Sequence, residues 1–154
     1  MNFETITEPT ELILVMAFAD PTRYAKTCEG KTSREIFDMM SDYFQLAGDI
    51  VEGVDGRIVK FMGDAIFAVF PEDDPAKAVA ALRQLKSEVE AFFGSQGVES
   101  ELRIKAHIGS ATCGPIGTRT QKHFEVLGQE VNATAMLPRG DFVLSDELQA
   151  RISS

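Results

Sequence analysis

Two aspartates and one lysine are the residues of this sequence whose types and positions could support chemistry. Asp20 directly follows 12-LILVMAFA-19, a continuous apolar run typical of a strand buried on both faces. Asp64 lies further along the chain, and Lys60 precedes it by four residues. Two carboxylates held close together repel each other unless a cation lies between them, and their hard oxygens suit Mg²⁺ or Mn²⁺. Such a pair could support two-metal phosphoryl chemistry.

The same residues also have a purely structural interpretation. Gly-Asp between two strands is usually a turn, and Asp-Pro after a strand usually begins a loop. A single lysine within a strand is normally a solvated surface residue. Composition and spacing alone therefore leave both interpretations open.

The predicted elements place the two aspartates near each other. We predict the order β-α-β-β-α-β-β-α-β-α, with strands at 12–19, 57–62, 65–70, 102–112 and 123–127. The first helix runs from a Thr32/Glu35 capping box to about Gly53, and the second from Asp74-Pro75 to Gly94. A short helix follows Gly128, and 141–152 contains a short strand and a helix capped at Ser145. The core βαββαβ predicts an α+β ferredoxin-like sandwich with a C-terminal extension, whose mostly antiparallel sheet carries its helices on one face. The first strand then lies beside the central hairpin, which brings Asp20 and Asp64 together.

Length and composition narrow the class of protein. The 154 residues predict a single domain, 1–154, with a polar lead-in over 1–10. A net charge of −9 argues against a nucleic-acid partner, so a polyphosphate would need metal cations or a local positive site. Cys28 and Cys113 have no metal-ligand or redox spacing, which indicates free thiols in a reducing compartment. With no long apolar run and an acidic N-terminus, we expect no membrane segment and a cytoplasmic location.

Three segments resemble one known family. The segments 14-LVMAFADPTRYA-25, 57-RIVKFMGDAIFAVF-70 and 104-IKAHIGSATCGPIGTRTQKHFEVLGQEVNATA-135 are together similar to the class III nucleotidyl (adenylyl/guanylyl) cyclase catalytic domain. The motifs occur in the family's order over about two-thirds of the chain. Each motif is weak by itself, and the three together are specific.

The resemblance implies a role for each matching residue. Asp20 and Asp64 would hold two Mg²⁺ or Mn²⁺ ions per site, with the Pro21 backbone carbonyl as a further ligand. Backbone N–H groups of the loop Thr22–Ala25 would contact the triphosphate. The other implied substrate contacts are Arg23 and Tyr24 within that loop, Lys60 and Glu125 at the purine ring, and Asn132 at the ribose.

The resemblance also implies a reaction and an assembly. ATP would be converted to 3′,5′-cyclic AMP and pyrophosphate by attack of the 3′-hydroxyl on the α-phosphorus, with Asp20, Asp64 and Asn132 as catalytic residues. Lys60 favours ATP over GTP. In this family the metal ligands come from one subunit and the base and ribose contacts from the other, so a homodimer with two sites is expected. We also expect an upstream regulatory domain.

Several positions depart from the family pattern. The family's transition-state arginine corresponds here to Met136, and Arg139 is the next arginine along the chain. The connection after Met136 is short, and the C-terminal end is shorter than in the family. Glu125 stands where the family's adenylyl cyclases usually have Asp or Thr; it keeps an acceptor, one methylene longer than Asp, and we expect it to pair with Lys60 when no nucleotide is bound. We interpret His107 as a packing residue.

Two other functional interpretations follow from these departures. A degenerate cyclase domain would bind nucleotide or a partner without turnover, and Met136 together with the short C-terminal end favours it. A GGDEF-type diguanylate cyclase has a similar hairpin, but 62-MGDAIF-67 lacks the second glycine and the second acidic residue of that motif.

Overall fold

The computed structural model describes residues 2–153, so the two end residues of the predicted 1–154 domain, and with them the start of the lead-in, lie outside it. The elements in chain order are a 3-10 helix Phe3–Thr5, β1 Thr10–Pro21, α1 Tyr24–Cys28, α2 Ser33–Glu52, β2 Arg57–Met62, β3 Ala65–Pro71, α3 Pro75–Ser95, β4 Leu102–Gly117, β5 Lys122–Leu127, α4 Gln129–Ala135, β6 Phe142–Leu144 and α5 Asp146–Ser153.

A single six-stranded sheet organises the fold, with the order β2-β3-β1-β4-β5 and β6 added beside β4. β1 pairs antiparallel with β3 and with β4, and β6 runs parallel to β4. The predicted ferredoxin-like sandwich with its C-terminal extension is confirmed. β1 is central because its residues Leu14–Ala17 are apolar and buried on both faces of the sheet, as the continuous apolar run predicts.

The two long helices cover one face of the sheet, as predicted. Thr32 and Glu35 form the predicted capping box at the start of α2, and the Asp74 carboxylate accepts the Lys77 amide at the start of α3. Their apolar stripes pack on the sheet around fully buried Tyr43 and Leu82. No helix within residues 2–153 is long and apolar enough to cross a membrane.

A smaller apolar cluster covers the opposite face of the sheet. Phe3 is buried there, and its ring packs edge-on against Phe124 with centroids 5.9 Å apart. The lead-in is therefore partly an element of the core rather than a wholly polar segment. Val131 of α4 also belongs to this cluster, so one short helix lies on the face opposite to α2 and α3.

Two stretches differ from the predicted elements. The short helix α1 begins at Tyr24, inside the segment predicted as a loop, and buried Thr27 donates its hydroxyl to the Arg23 carbonyl. β4 continues to Gly117 instead of ending at Thr112. Thr10, the first residue of β1, pairs with Cys113, so Pro115 has no β1 residue opposite it. Pro115 is tolerated there because its nitrogen, which has no hydrogen to donate, needs no acceptor on the β1 side of β4.

Candidate functional site

The two predicted metal-ligating aspartates lie at the same end of the sheet. Ala19 of β1 pairs with Ile66 of β3; Asp20 comes one residue after Ala19, and Asp64 comes two residues before Ile66, in the β2–β3 turn. The buried Tyr43 hydroxyl donates to the Asp64 carbonyl at 2.8 Å, which attaches the hairpin tip to α2. The turn itself uses Gly63 at a φ of 66°, a conformation that favours glycine.

The electrostatics of Asp64 show that the two carboxylates interact. Burial raises the pKa of Asp64 and the charge of Asp20 raises it further, against a backbone hydrogen bond that lowers it. Burial also raises the pKa of Tyr43, and both aspartates add to that shift. A half-buried carboxylate facing a second one is unfavourable when ionised, and a divalent cation would relieve the repulsion.

The donor chemistry fits a metal that shares its coordination with a ligand. Within residues 2–153, no group of three or more histidine, cysteine, aspartate or glutamate side chains could hold a metal ion. Asp20 and Asp64 therefore supply only part of a coordination sphere. Backbone carbonyls such as that of Pro21, and oxygens of a bound phosphate, would supply the rest, as is usual for Mg²⁺.

Basic side chains surround Asp20. A depression of about 440 Å³ is lined by Asp20, Arg103, Lys105 and Arg139, among others. Arg103 lies opposite Asp20 in the β1–β4 ladder, and Lys105 lies opposite Phe18. The local positive site that this acidic chain would need for a polyphosphate is thus present. Sequence reasoning missed Arg103 and Lys105, although their alternation with buried Leu102 and Ile104 places them on one face.

Thr22, the first residue of the loop predicted to contact the triphosphate, already makes three hydrogen bonds within the chain. The Thr22 amide donates to the Glu101 carbonyl at 2.8 Å, and the Thr22 hydroxyl accepts the Glu101 amide at 2.9 Å. The Ser100 hydroxyl donates to the Thr22 carbonyl at 2.6 Å. Thr22 therefore joins the end of β1 to the start of β4, and its amide is already bonded; the phosphate contacts of Arg23 and Tyr24 stay a prediction.

The two predicted base-contacting residues meet each other. Lys60 Nζ lies 2.9 Å from Glu125 Oε2, the ion pair expected for the nucleotide-free site. Glu125 is buried, and its other carboxylate oxygen accepts the Val126 amide at 3.0 Å. His123 Nε2 lies 3.7 Å from Glu125 Oε2. Lys60 is in β2 and Glu125 in β5, so the two edge strands of the sheet approach each other here.

The structure separates the predicted residues into two groups. Of the described residues, those that line the depression beside Asp20 do not include Lys60, Glu125 or Asn132. Asn132 is exposed on α4, and Met136 follows that helix with 82% of its surface exposed. One chain thus presents the two aspartates at one place and the ion pair of Lys60 and Glu125, the predicted base contacts, at another.

Comparison with known proteins identifies the family. Residues 7–140 match the model of the adenylate and guanylate cyclase catalytic domain. The chain belongs to this cyclase family. The curated relative "Adenylate cyclase 1" of Rhizobium meliloti is 30% identical over 129 residues, which covers 78% of this chain and 19% of that protein. The cyclase domain described here thus spans about a fifth of the length of that relative.

Solved cyclase structures share the fold. The adenylyl cyclase CyaB of P. aeruginosa superposes with a TM-score of 0.84 at 22% identity, over 95% of this chain and 83% of that one. The guanylyl cyclase Cya2 superposes with a TM-score of 0.80 at 22% identity, over 97% and 82% of the two chains. One of these two structures is an adenylyl cyclase and the other a guanylyl cyclase, so the shared backbone does not indicate which nucleotide is used. At 22% identity, the structural similarity shows the fold alone.

The interaction between Asp20 and Asp64 leads to a prediction about stability. Because the pKa of Asp64 is raised in the folded state, its contribution to the free energy of unfolding falls as pH rises from the ordinary aspartate value of 3.8 through the raised one. Above that window the ionised carboxylate destabilises the fold. Asp64→Asn should therefore raise the melting temperature at pH 7 in metal-free buffer, whereas Mn²⁺ should stabilise the wild type and not Asp64→Asn.

The matched control for this experiment is Asp73→Asn, because Asp73 is exposed in the loop before α3. It should leave both the metal-free melting temperature and the Mn²⁺ response unchanged. An Asp64→Asn protein that melts below the wild type at pH 7, or that gains as much from Mn²⁺, contradicts the interpretation.

Proposed function

We propose that this cyclase domain is the catalytic domain of an adenylyl cyclase that converts ATP to 3′,5′-cyclic AMP and pyrophosphate. The observation that carries the proposal is that Asp20 and Asp64 lie at one end of the sheet, with Arg103 and Lys105 beside Asp20. Paired carboxylates suit divalent cations, and the neighbouring cationic side chains suit the phosphates that those cations accompany.

The residues of the chain divide the work of the proposed reaction. Asp20, Asp64 and the Pro21 carbonyl would hold two Mg²⁺ or Mn²⁺ ions, which when bound neutralise phosphate charge and lower the pKa of the attacking hydroxyl. Arg103 and Lys105 attract and orient the triphosphate by charge. Asn132 orients the ribose, so that the 3′-hydroxyl is directed at the α-phosphorus.

The separation of the two groups of residues supports a homodimeric arrangement. The carboxylates of one copy would face Lys60, Glu125 and Asn132 of a second copy, which completes two equivalent sites. The match covers only 19% of the Rhizobium relative, so most of that protein lies outside its cyclase domain. By analogy, an upstream regulatory domain would control the activity proposed here. The reducing cytoplasm is the compartment proposed for it, in keeping with the free thiols of Cys28 and Cys113.

Turnover is the direct test of the proposal. Wild-type protein should form cyclic AMP from ATP with Mn²⁺, and Asp64→Ala should abolish it while Asp73→Ala leaves it unchanged. Product should also depend on protein concentration more steeply than linearly, because each site needs two chains. Nucleotide binding without any product would instead support the degenerate domain, and turnover that survives Asp64→Ala would contradict the assigned metal site.

A specific observation bears on the missing arginine. Met136 is uncharged and exposed, whereas Arg139 lines the depression beside Asp20. The short connection from the end of α4 at Ala135 to the start of β6 at Phe142 returns the chain to this depression. We propose that Arg139 stabilises charge on the triphosphate bound at its own chain's aspartates, in place of an arginine at position 136.

Substitution of Arg139 tests this assignment. Arg139→Ala should lower kcat about a hundredfold, the usual loss for one donor to a charged transition state. Arg119→Ala, which removes an exposed arginine from the β4–β5 turn, is the control and should leave kcat unchanged. If Arg139→Ala has no effect on kcat, then Arg139 does not replace the arginine that is missing at position 136.

The Lys60–Glu125 ion pair leads to a prediction about base binding. Glu125→Thr removes the internal partner of Lys60 and keeps an acceptor for the purine amino group, so ATP affinity should rise while GTP affinity changes less. The measurement is titration of both nucleotides by calorimetry. His123→Gln is the control, because His123 is 61% exposed and only approaches the same carboxylate. Unchanged ATP affinity in Glu125→Thr would show that the ion pair does not compete with the base.

A further inference from the structure

A buried polar cluster lies between the sheet and α4, away from Asp20 and Asp64. Its centre is His107 of β4, which is 5% exposed, as expected for a packing residue, and which in addition has polar partners at both ring nitrogens. Its Nε2 contacts the Glu130 carboxylate of α4, and its Nδ1 lies 2.7 Å from the Ser145 hydroxyl. The Glu147 carboxylate of α5 lies 3.4 Å from the same Nδ1. Both nitrogens of one buried ring are thus engaged by two different helical segments.

The chemistry of the partners assigns the hydrogens. An ionised carboxylate only accepts, so His107 Nε2 carries a hydrogen and donates it to Glu130. The Ser145 oxygen already accepts the Leu148 amide at 3.2 Å, and its own hydrogen is free to donate to a neutral Nδ1. In this arrangement Nε2 donates to Glu130 and Nδ1 accepts from Ser145, so each ring nitrogen has a partner.

The packing beneath Glu130 shows that α4 lies unusually close to β4. A Cβ on Gly109 would be 2.7 Å from Glu130 Cγ and 2.9 Å from its Cβ, so the Glu130 side chain fills the space over the glycine. Thr134, fully buried, donates its hydroxyl to the Glu130 carbonyl at 2.7 Å. At the other end of the helix, Lys105 donates to the Ala135 carbonyl at 3.0 Å.

The helix α4 depends on these contacts. It has only seven residues, and its N-cap Gly128 provides no side-chain cap. A helix of this length is not stable by itself in water, so its conformation and position are set by what it touches. Asn132, two residues after Glu130, is carried on the exposed side of the same turn.

We propose that His107 is a positioning residue for α4, and that its hydrogen bond to Glu130 sets the place of Asn132. Through Ser145 the same ring joins α4 to the start of α5, so the position of the C-terminal helix is coupled to that of the helix carrying Asn132. The placement of α4 follows from the contacts of His107, Glu130 and Gly109 described above. Its consequence for nucleotide turnover rests on the proposed cyclase function.

Hydrogen exchange of the α4 amides in the whole chain tests the placement without any nucleotide. The amides of Asn132 and Met136, bonded to the Gly128 and Asn132 carbonyls, report directly on α4. His107→Phe and Glu130→Ala should each speed their exchange about tenfold, the effect expected for losing one hydrogen bond to a charged group. His107→Gln keeps a donor that reaches Glu130 and should restore most of the protection.

Two comparisons separate positioning from general damage. The double variant His107→Phe/Glu130→Ala should exchange no faster at α4 than the worse single variant, because both remove one interaction. Glu147→Gln, on α5, should leave α4 exchange unchanged, and exchange within α2 and α3 should not change in any variant. Unchanged α4 exchange in Glu130→Ala, which removes a 41% exposed side chain and should fold, overturns the proposal. Failure of His107→Gln to restore protection also overturns it.

Kinetics test the consequence for Asn132. His107→Phe and Glu130→Ala should lower kcat for cyclic AMP formation about tenfold with little change in KM, since ribose orientation matters most in the transition state. A rise in KM with kcat unchanged contradicts this role. If the wild type itself gives no product, the proposed function fails, whereas the exchange experiment still decides whether His107 positions α4.

Discussion

The central position of β1 is the constraint on which the structure depends. It pairs with β3 on one side and β4 on the other, and its consecutive side chains enter two different cores: Val15 and Ala17 the larger one, Leu14 and Met16 the smaller. A slip of one residue would exchange these two sets between the faces of the sheet, so the register is strongly specified. That register determines which residues surround Asp20 at the end of the strand.

The distribution of charge follows from the same sheet. The chain carries a net charge of −9, yet its strand β4 alternates so that Arg103, Lys105 and His107 share the face opposite to α2 and α3. At physiological salt, charges further apart than about 8 Å are largely screened, so a few nearby cations matter more than the distant carboxylates. The proposed phosphate site therefore depends on these nearby cationic side chains more than on the net charge of the chain.

The parts of the molecule that were predictable from the sequence are those with local or topological signals. The capping box at Thr32, the Asp-Pro start of α3 and the apolar run of β1 each depend on neighbouring residues, and the strand order then implies that Asp20 approaches Asp64. The parts that were missed depend on partners distant in sequence. Phe3 packs against Phe124, and His107 contacts Glu130 and Ser145, which are 23 and 38 residues away in the sequence. No local pattern carries that information.

The ion pair between Lys60 and Glu125 has a mechanical consequence. These residues belong to β2 and β5, the two outer strands of the five-strand path, and Arg57 and Phe124 of the same strands also touch, with the guanidinium 4.4 Å from the ring centroid. The sheet is therefore curved, because β2 and β5 contact each other although three other strands lie between them in the strand order. A ligand that inserted between Lys60 and Glu125 would therefore replace a contact between the two outer strands of this path, and not only a surface ion pair.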